Sequence, residues 1–162
     1  MSKLKWFVVP ILILAAVGPS FAEDPAKLLG TWKLVSYEAE YQTDGTREPV
    51  LGKNWVGYVL FTPEGRVISV LTAEGRKPPS TDQDRSDLYK SMIAYTGFYR
   101  LEGDALTLKA DVSWNPAWLS GDQARTVKFE GDRLQVLTGW TQAIAKPEKG
   151  MARGILALEK VK

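Results

Sequence analysis

The middle of the chain alternates between apolar and polar residues as a β-strand buried on one face does. From position 106 to position 114 every second residue is apolar, namely Leu106, Leu108, Ala110, Val112 and Trp114. Two similar segments, 101–106 and 129–134, place Gly-Asp between alternating runs, and Gly103 and Gly131 can adopt the positive φ of a tight hairpin. We therefore predict a continuous antiparallel meander over residues 96–138.

Alternating segments on both sides of the meander extend this pattern. A long first strand is predicted over residues 28–41, after a short helical turn at residues 25–29. Two further strands flank a turn at residues 62–65, where Pro63 supplies the fixed φ of a turn position. Residues 154–161 predict a last strand, which would pair with the first and close the sheet into a barrel without free edges.

The period changes between the third and fourth predicted strands. Ser80 lies three residues before Gln83, which is the spacing of a capping box. The apolar residues that recur there at helical spacing are Leu88, Met92 and Tyr95. We predict a helix of about 13 residues over residues 81–94. It either lies over the barrel mouth as a lid or, as its apolar stripe favours, packs into one end of the core.

Residues 1–22 have the organisation of a secretory signal peptide. Lys3 and Lys5 precede an apolar run over residues 6–17, and small residues precede the predicted cleavage after Ala22. The run is too short to span a bilayer comfortably. We therefore expect one mature domain over residues 23–162, without a membrane anchor, in the periplasm or secreted.

Charge and composition narrow the function further. Lys3 and Lys5 account for the whole excess of 21 Lys and Arg over 19 Asp and Glu, so residues 23–162 are formally neutral. Without a basic stripe, the sequence does not indicate a nucleic acid partner. The chain has no histidine and no cysteine, which removes the commonest general base, zinc ligands and thiolate. We expect no metal and no cofactor, and interpret the acidic residues near position 82 as a helix start.

Several motifs resemble those of a known family. Gly30, Thr31 and Trp32 resemble the Gly-X-Trp signature at the first strand of lipocalins and the wider calycin superfamily. Further matching segments are 57–65, 95–99, 113–118 and 121–125. Their order and spacing are similar to those of the bacterial and fungal lipocalin-like domain family, over residues 29–160.

The resemblance implies an all-β fold, namely a closed antiparallel eight-stranded up-and-down barrel with one short helix inserted between the third and fourth strands. In such barrels the signature tryptophan closes the bottom and stacks against a basic residue near the last strand. Trp32 would take that place here, and Arg153 and Lys160 are the candidate basic residues.

Arg125 is the most informative candidate for a ligand site, because it follows Gln123 at strand spacing on the face that continues to Val127. Its guanidinium would pair a carboxylate or other oxygen-rich group bidentately, or else serve a structural role against an acid or a tryptophan. The other candidate ligand-binding residues are Tyr58, Tyr99, Trp114, Asn115, Trp118 and Gln123. The two tryptophans are alternatively core, Asn115 a turn former, and the tyrosines strand residues with hydroxyls in water.

Three hypotheses follow. The barrel binds a small, mainly hydrophobic ligand with a carboxylate or other polar oxygen, because small barrels enclose one such molecule. Alternatively it is a barrel enzyme of the isomerase or cyclase type acting on a small hydrophobic metabolite, although no catalytic residue is indicated. A third hypothesis is a barrel filled by its own side chains. The sequence predicts neither the ligand's identity nor the oligomeric state.

Overall fold

A computed structural model of the protein describes residues 25–143 and 146–162, and the predicted signal peptide at residues 1–22 lies outside them. The strands are β1 Gly30–Tyr41, β2 Arg47–Pro49, β3 Trp55–Phe61, β4 Arg66–Ala73, β5 Met92–Glu102, β6 Ala105–Ser113, β7 Gln123–Glu130, β8 Arg133–Thr138, β9 Thr141–Gln142 and β10 Met151–Lys160. The helices are a short turn, α1 Pro25–Leu28, and α2 Asp82–Lys90, with 3-10 turns at Val50–Gly52, Pro116–Leu119 and Pro147–Lys149.

The strands form one closed antiparallel barrel. Eight of them, β1, β3 to β8 and β10, make the wall, while β2 and β9 are short additions beside β1 and β10. The barrel closes where β1 pairs with β10, with Trp32 opposite Lys160 and Tyr41 opposite Ala152. This confirms the predicted eight-stranded up-and-down barrel and the helix between its third and fourth strands.

The two Gly-Asp hairpins form as predicted. Glu102 pairs with Ala105 and Glu130 pairs with Arg133, so each turn holds only two residues. Gly103 and Gly131 both have a φ of 62°, which other residues adopt only with strain. With the 62–65 turn, these hairpins define the closed end of the barrel.

Trp32 closes that end. Its side chain is 1% exposed, its indole Nε1–H donates to the Leu28 carbonyl at 2.8 Å, and Lys160 Nζ lies 5.1 Å from its ring centroid. Lys160 is therefore the basic partner implied by the resemblance, and the candidate Arg153 was wrong. Arg153 pairs with Glu40 near the opposite end of β1.

Two irregularities change which residues face inward. The pairing of β1 with β10 shifts between Leu34 and Ser36, which brings Tyr37 to the inner face. In the pairing of β5 with β6, Thr96 lies opposite Val112 but Gly97 lies opposite Ala110, so Asp111 is an extra residue. Val112 is exposed in consequence, and the predicted inward alternation was wrong from that position onward.

Gly97 is required by this bulge. A Cβ at position 97 would lie 2.1 Å from the Lys109 carbonyl oxygen, which is backbone and has little freedom to move. We expect Gly97→Ala to lower the free energy of unfolding by about 1–3 kcal/mol, the usual cost of overpacking. Urea unfolding measures this, with Gly139→Ala as the matched control because a Cβ there meets nothing within 4 Å. Equal losses in the two variants would contradict the assignment.

The helix differs from its prediction at both ends. The capping box is made by Thr81 and Asp84 rather than by Ser80 and Gln83. Ser80 and Thr81 instead donate to the Asp84 carboxylate, which lowers its pKa to about 2. The helix dipole favours a negatively charged acceptor near the start of the helix, and this explains why Asp84 rather than Gln83 completes the capping box.

The last three residues of the predicted helix, 92–94, belong to strand β5. Ser91 caps the last turn through its N–H to the Asp87 carbonyl at 3.0 Å, and Met92 and Ile93 then pair with β4. The apolar residues at helical spacing are thus divided between α2, which holds Leu88, and β5, which holds Met92 and the inward-facing Tyr95. No residue of α2 is buried, so the predicted packing of this helix into the core was wrong.

Candidate ligand-binding site

The barrel is hollow only toward its open end. A cavity of about 660 Å³ opens there, between the ends of β1, β7, β8 and β10. A deeper space of about 40 Å³ continues from it, and Tyr37, Trp118, Arg125 and Thr138 line both. Below that space the core residues Val59, Leu106, Val127, Leu134 and Leu158 fill the barrel. The third hypothesis, a barrel filled by its own side chains, therefore holds only for the closed half of the barrel.

Arg125 lies at the junction of the two spaces. It occupies the inner face of β7 between Gln123 and the buried Val127, as the strand spacing predicted. Its Nη2 donates to the Gln123 side-chain oxygen at 2.6 Å and its Nη1 to the Ala124 carbonyl at 2.9 Å. Among residues 25–143 and 146–162, no carboxylate forms an ion pair with Arg125 and none lines either space.

The groups around Arg125 are neutral phenols. Burial raises the pKa of both Tyr37 and Tyr95, and the nearby Arg125 charge opposes this only in part. The Tyr95 phenol also shares a hydrogen bond with the buried Ser69 hydroxyl. Burial in turn lowers the pKa of the Arg125 guanidinium. The positive charge is therefore partly desolvated, and its neighbours are dipoles rather than an anion.

Trp118 forms the aromatic wall of the cavity. Its ring lies 5.4 Å from that of Tyr95 and 4.8 Å from that of Trp114, edge to face in the second case. Asn115 holds it in place, because its carbonyl accepts the Trp118 N–H at 3.0 Å and its side chain caps the turn through the Ala117 N–H at 3.1 Å. The 113–125 segment is thus a structured rim.

The structure brings three of the seven candidate residues to the cavity: Gln123, Arg125 and Trp118. Trp114 and Asn115 support Trp118 from behind it. Tyr58 and Tyr99 do not line the cavity. Tyr58 is on the outer face of β3, and the Tyr99 hydroxyl donates to the Thr62 carbonyl at 2.9 Å at the closed end.

Three lining residues were not singled out from the sequence. The β1 bulge reverses the face of Tyr37, which the alternation of the sequence does not show. Tyr95 was counted in the apolar stripe that follows the predicted helix and in the 95–99 segment, but not as a ligand-binding residue. Thr138 could have been recognised from the sequence, because it is a polar residue at the end of the inward-facing positions of β8. Its hydroxyl accepts the Gly154 N–H at 2.7 Å. Gly154 leaves room for the Tyr37 ring, since a Cβ there would lie 3.0 Å from it. No residue of α2 lines the cavity, so the structure does not support the interpretation of this helix as a lid over the barrel mouth.

The outer rim carries cations of a different kind. Lys146 forms an ion pair with Glu48, and Arg153 forms one with Glu40 at 2.5 Å. These charges are balanced by Glu48 and Glu40, which are not among the residues that line the cavity. Arg125 is the lining cation, in the described part of the chain, that lacks such a partner.

The ionised Glu40 carboxylate should make the stability of the fold depend on pH. Hydrogen bonds from Arg47 and then Arg153 hold the pKa of the Glu40 carboxyl below its ordinary value of 4.5. A group whose pKa is lower in the folded state stabilises the fold above the unfolded value and loses that effect as pH falls. We expect the free energy of unfolding to fall below about pH 4.5, and Glu40→Gln to lack this component in a urea series across pH. The exposed Glu159→Gln should retain it; an identical profile for Glu40→Gln would contradict the interpretation.

No helix within residues 25–143 and 146–162 is long and apolar enough to cross a membrane.

Comparison with known proteins supports the fold from an independent direction. A search of curated proteins returned no match. The family model described as a lipocalin-like domain matches residues 29–161, from the residue after α1 to the residue after β10. That range contains the closed barrel, the Trp32 closure and the Arg125 cavity, and the chain therefore belongs to the lipocalin-like domain family.

Proposed function

We propose that the barrel binds one small, mainly apolar molecule carrying a carboxylate or a comparable oxygen-rich anion, and that Arg125 pairs the anion. The observation that carries this proposal is a partly desolvated guanidinium in an open cavity whose described lining contains no carboxylate. Charges removed from water are normally paired, and an unpaired one is costly. An incoming anion would supply the missing partner.

The chemistry of arginine favours a planar anion. Two of its nitrogens already donate to neutral acceptors, Gln123 and the Ala124 carbonyl, which fix the plane of the guanidinium. A carboxylate matches the remaining donors in a forked geometry. The protonated phenols of Tyr37 and Tyr95 add neutral hydrogen-bond donors near the same point.

The cavity also sets the size and character of the ligand. Its volume of about 660 Å³ lies within the range of small-molecule sites, about 300–1,000 Å³. Trp118, Tyr37, Ala39 and Ala152 give it apolar walls. Eight-stranded barrels of this kind hold one small ligand, so a single molecule with its anion at Arg125 fits the space.

Binding is better supported than isomerase or cyclase catalysis. A buried carboxylate beside the cavity, with a raised pKa, would favour an enzyme. None lines the cavity in the described part of the chain, and the two tyrosines are shifted toward their protonated form.

We also propose that the protein acts in the periplasm or outside the cell, which rests on the pattern of residues 1–22. Sequencing the N-terminus of the protein purified from its host tests this proposal. A mature chain beginning at Glu23 would support it, and one beginning at Met1 would not.

Native mass spectrometry of the protein purified from its host tests the binding proposal. We expect a co-purifying small molecule on the wild-type protein and its loss on Arg125→Met. The matched control is Arg100→Met, which removes an exposed arginine of β5. Full ligand occupancy on the Arg125→Met protein would show that Arg125 does not bind the ligand. A wild-type protein that neither carries nor binds any apolar carboxylate would overturn the proposal.

A further inference from the structure

The outer face of β3 to β6 is unusually apolar for a surface in water. Its large apolar side chains, which are between 41% and 62% exposed, are Val56, Tyr58, Ile68, Val70, Phe98 and Val112. We call these six residues the β3–β6 face. They lie on the opposite side of the barrel wall from the ligand cavity, so ligand binding does not account for them.

Strand register makes this face continuous. Tyr58 lies opposite Val70, which lies opposite Ala94 across β3, β4 and β5. In the next row Ile68 lies opposite Thr96, which lies opposite Val112. Paired residues on one face of a sheet are about 5 Å apart, so the six side chains form one patch. Patches of this size are often functional in soluble proteins.

The charge of Arg66, at one end of the face, is already balanced. Arg66 donates from Nη2 to Asp111 at 2.9 Å and from Nη1 to Thr96 at 3.2 Å, and its guanidinium carbon lies 4.5 Å from the Phe98 ring centroid. The arginine therefore lies over the Phe98 ring at one end of the face, with its charge neutralised by Asp111. Covering this pair with a second such surface would leave its two charges paired, while the exposed Lys33, opposite Tyr58, and Lys109, opposite Phe98, would lie at the edges of the contact.

We propose that the β3–β6 face is the interface of a two-fold symmetric homodimer. The six side chains present on the order of 500 Å² of accessible surface, given about 150–250 Å² for a whole aromatic side chain. With the polar residues around them, this approaches the roughly 800 Å² that each partner buries in a standard interface. Two copies of a sheet face pack well at about 10 Å separation.

The shape of the face suits a second copy of itself. Ala94 and Thr96 form a low row on β5 between the taller residues Val70 and Ile68 on β4 and Val112 on β6. A two-fold axis near the Val70 and Ala94 pair would place the tall row of each copy against the low row of the other, as an isologous interface requires. Residues 23–162 are also formally neutral, which limits repulsion between copies.

Sedimentation velocity of the purified protein across the micromolar range tests the proposal. We expect a concentration-dependent species of twice the mass of the monomer. Val70→Lys should raise the dimer dissociation constant by about a hundredfold, because the two-fold axis places the charge in the interface twice. Val161→Lys, the same change at an exposed valine after β10, should leave it unchanged.

A second variant, together with circular dichroism, distinguishes loss of the interface from misfolding of the barrel. Phe98→Lys should weaken the dimer in the same way, and circular dichroism should show the barrel intact in all three variants. A wild-type protein that is monomeric throughout would overturn the proposal, whether or not the face then binds another protein or a vesicle. A dimer unaffected by both folded variants would overturn it as well.

Discussion

Replacing Arg125 with methionine should weaken the binding of decanoate, a simple apolar carboxylate, by about a hundredfold or more. The expectation follows from the cost of leaving one partner of a desolvated charge pair alone, which is about 2–5 kcal/mol. Methionine keeps an apolar, flexible side chain of similar length, so the cavity should stay open. Isothermal titration calorimetry of the two proteins with decanoate measures the change.

The same substitution should not destabilise the protein without its ligand. Arg125 has no carboxylate partner in the described structure and burial lowers its pKa, so its charge opposes folding. We expect the unliganded Arg125→Met protein to be as stable as the wild type or more stable by about 1 kcal/mol, in keeping with the usual conflict between function and stability. Arg100→Met, on the outer surface, should change neither property. A large loss of stability on Arg125→Met would show that the arginine is structural.

Trp32→Ala should be among the most damaging single substitutions, with a loss of about 3–5 kcal/mol in the free energy of unfolding. The indole is 1% exposed, contacts Phe129 at 6.2 Å between ring centroids, and lies under Lys160. Alanine would leave a cavity at the closed end and an unpaired Leu28 carbonyl. Thermal and urea unfolding report the loss.

Two controls separate the contributions of Trp32. Trp32→Phe keeps most of the ring but removes the N–H donor to Leu28, so about 1–2 kcal/mol should be lost. Trp140→Ala removes a partly exposed tryptophan that stacks on Arg153 and should cost less than Trp32→Ala. Equal losses for Trp32→Ala and Trp140→Ala would contradict the role of Trp32 in closing the barrel.

The barrel could be predicted because its determinants are local in the sequence. Alternation marks the strands, and the glycines at 103 and 131 mark the two-residue turns that fix their register. A β-bulge, in contrast, cannot be recognised from alternation or from turn residues. The extra residue at Asp111 reversed the side of Val112, and the shift after Leu34 hid Tyr37, because a bulge depends on the pairing partner.

The helix prediction failed for a related reason. Met92, Ile93 and Tyr95 continue a helical spacing from Leu88, but pairing with β4 outweighs that local preference, and Ile93 and Tyr95 also pack inside the barrel. In the site, Arg125 was predictable from its place on an apolar strand face. Its lack of a carboxylate partner and its position beside Tyr95 were not, since both depend on residues distant in the chain.

A crystal structure of the protein with decanoate bound tests the central claim most directly. The account predicts both carboxylate oxygens about 2.7–2.9 Å from the Arg125 guanidinium nitrogens, the range of charge-assisted bonds, with the alkyl chain between Tyr37 and Trp118. A carboxylate directed to solvent, or a ligand bound elsewhere on the barrel with Arg125 untouched, would contradict it.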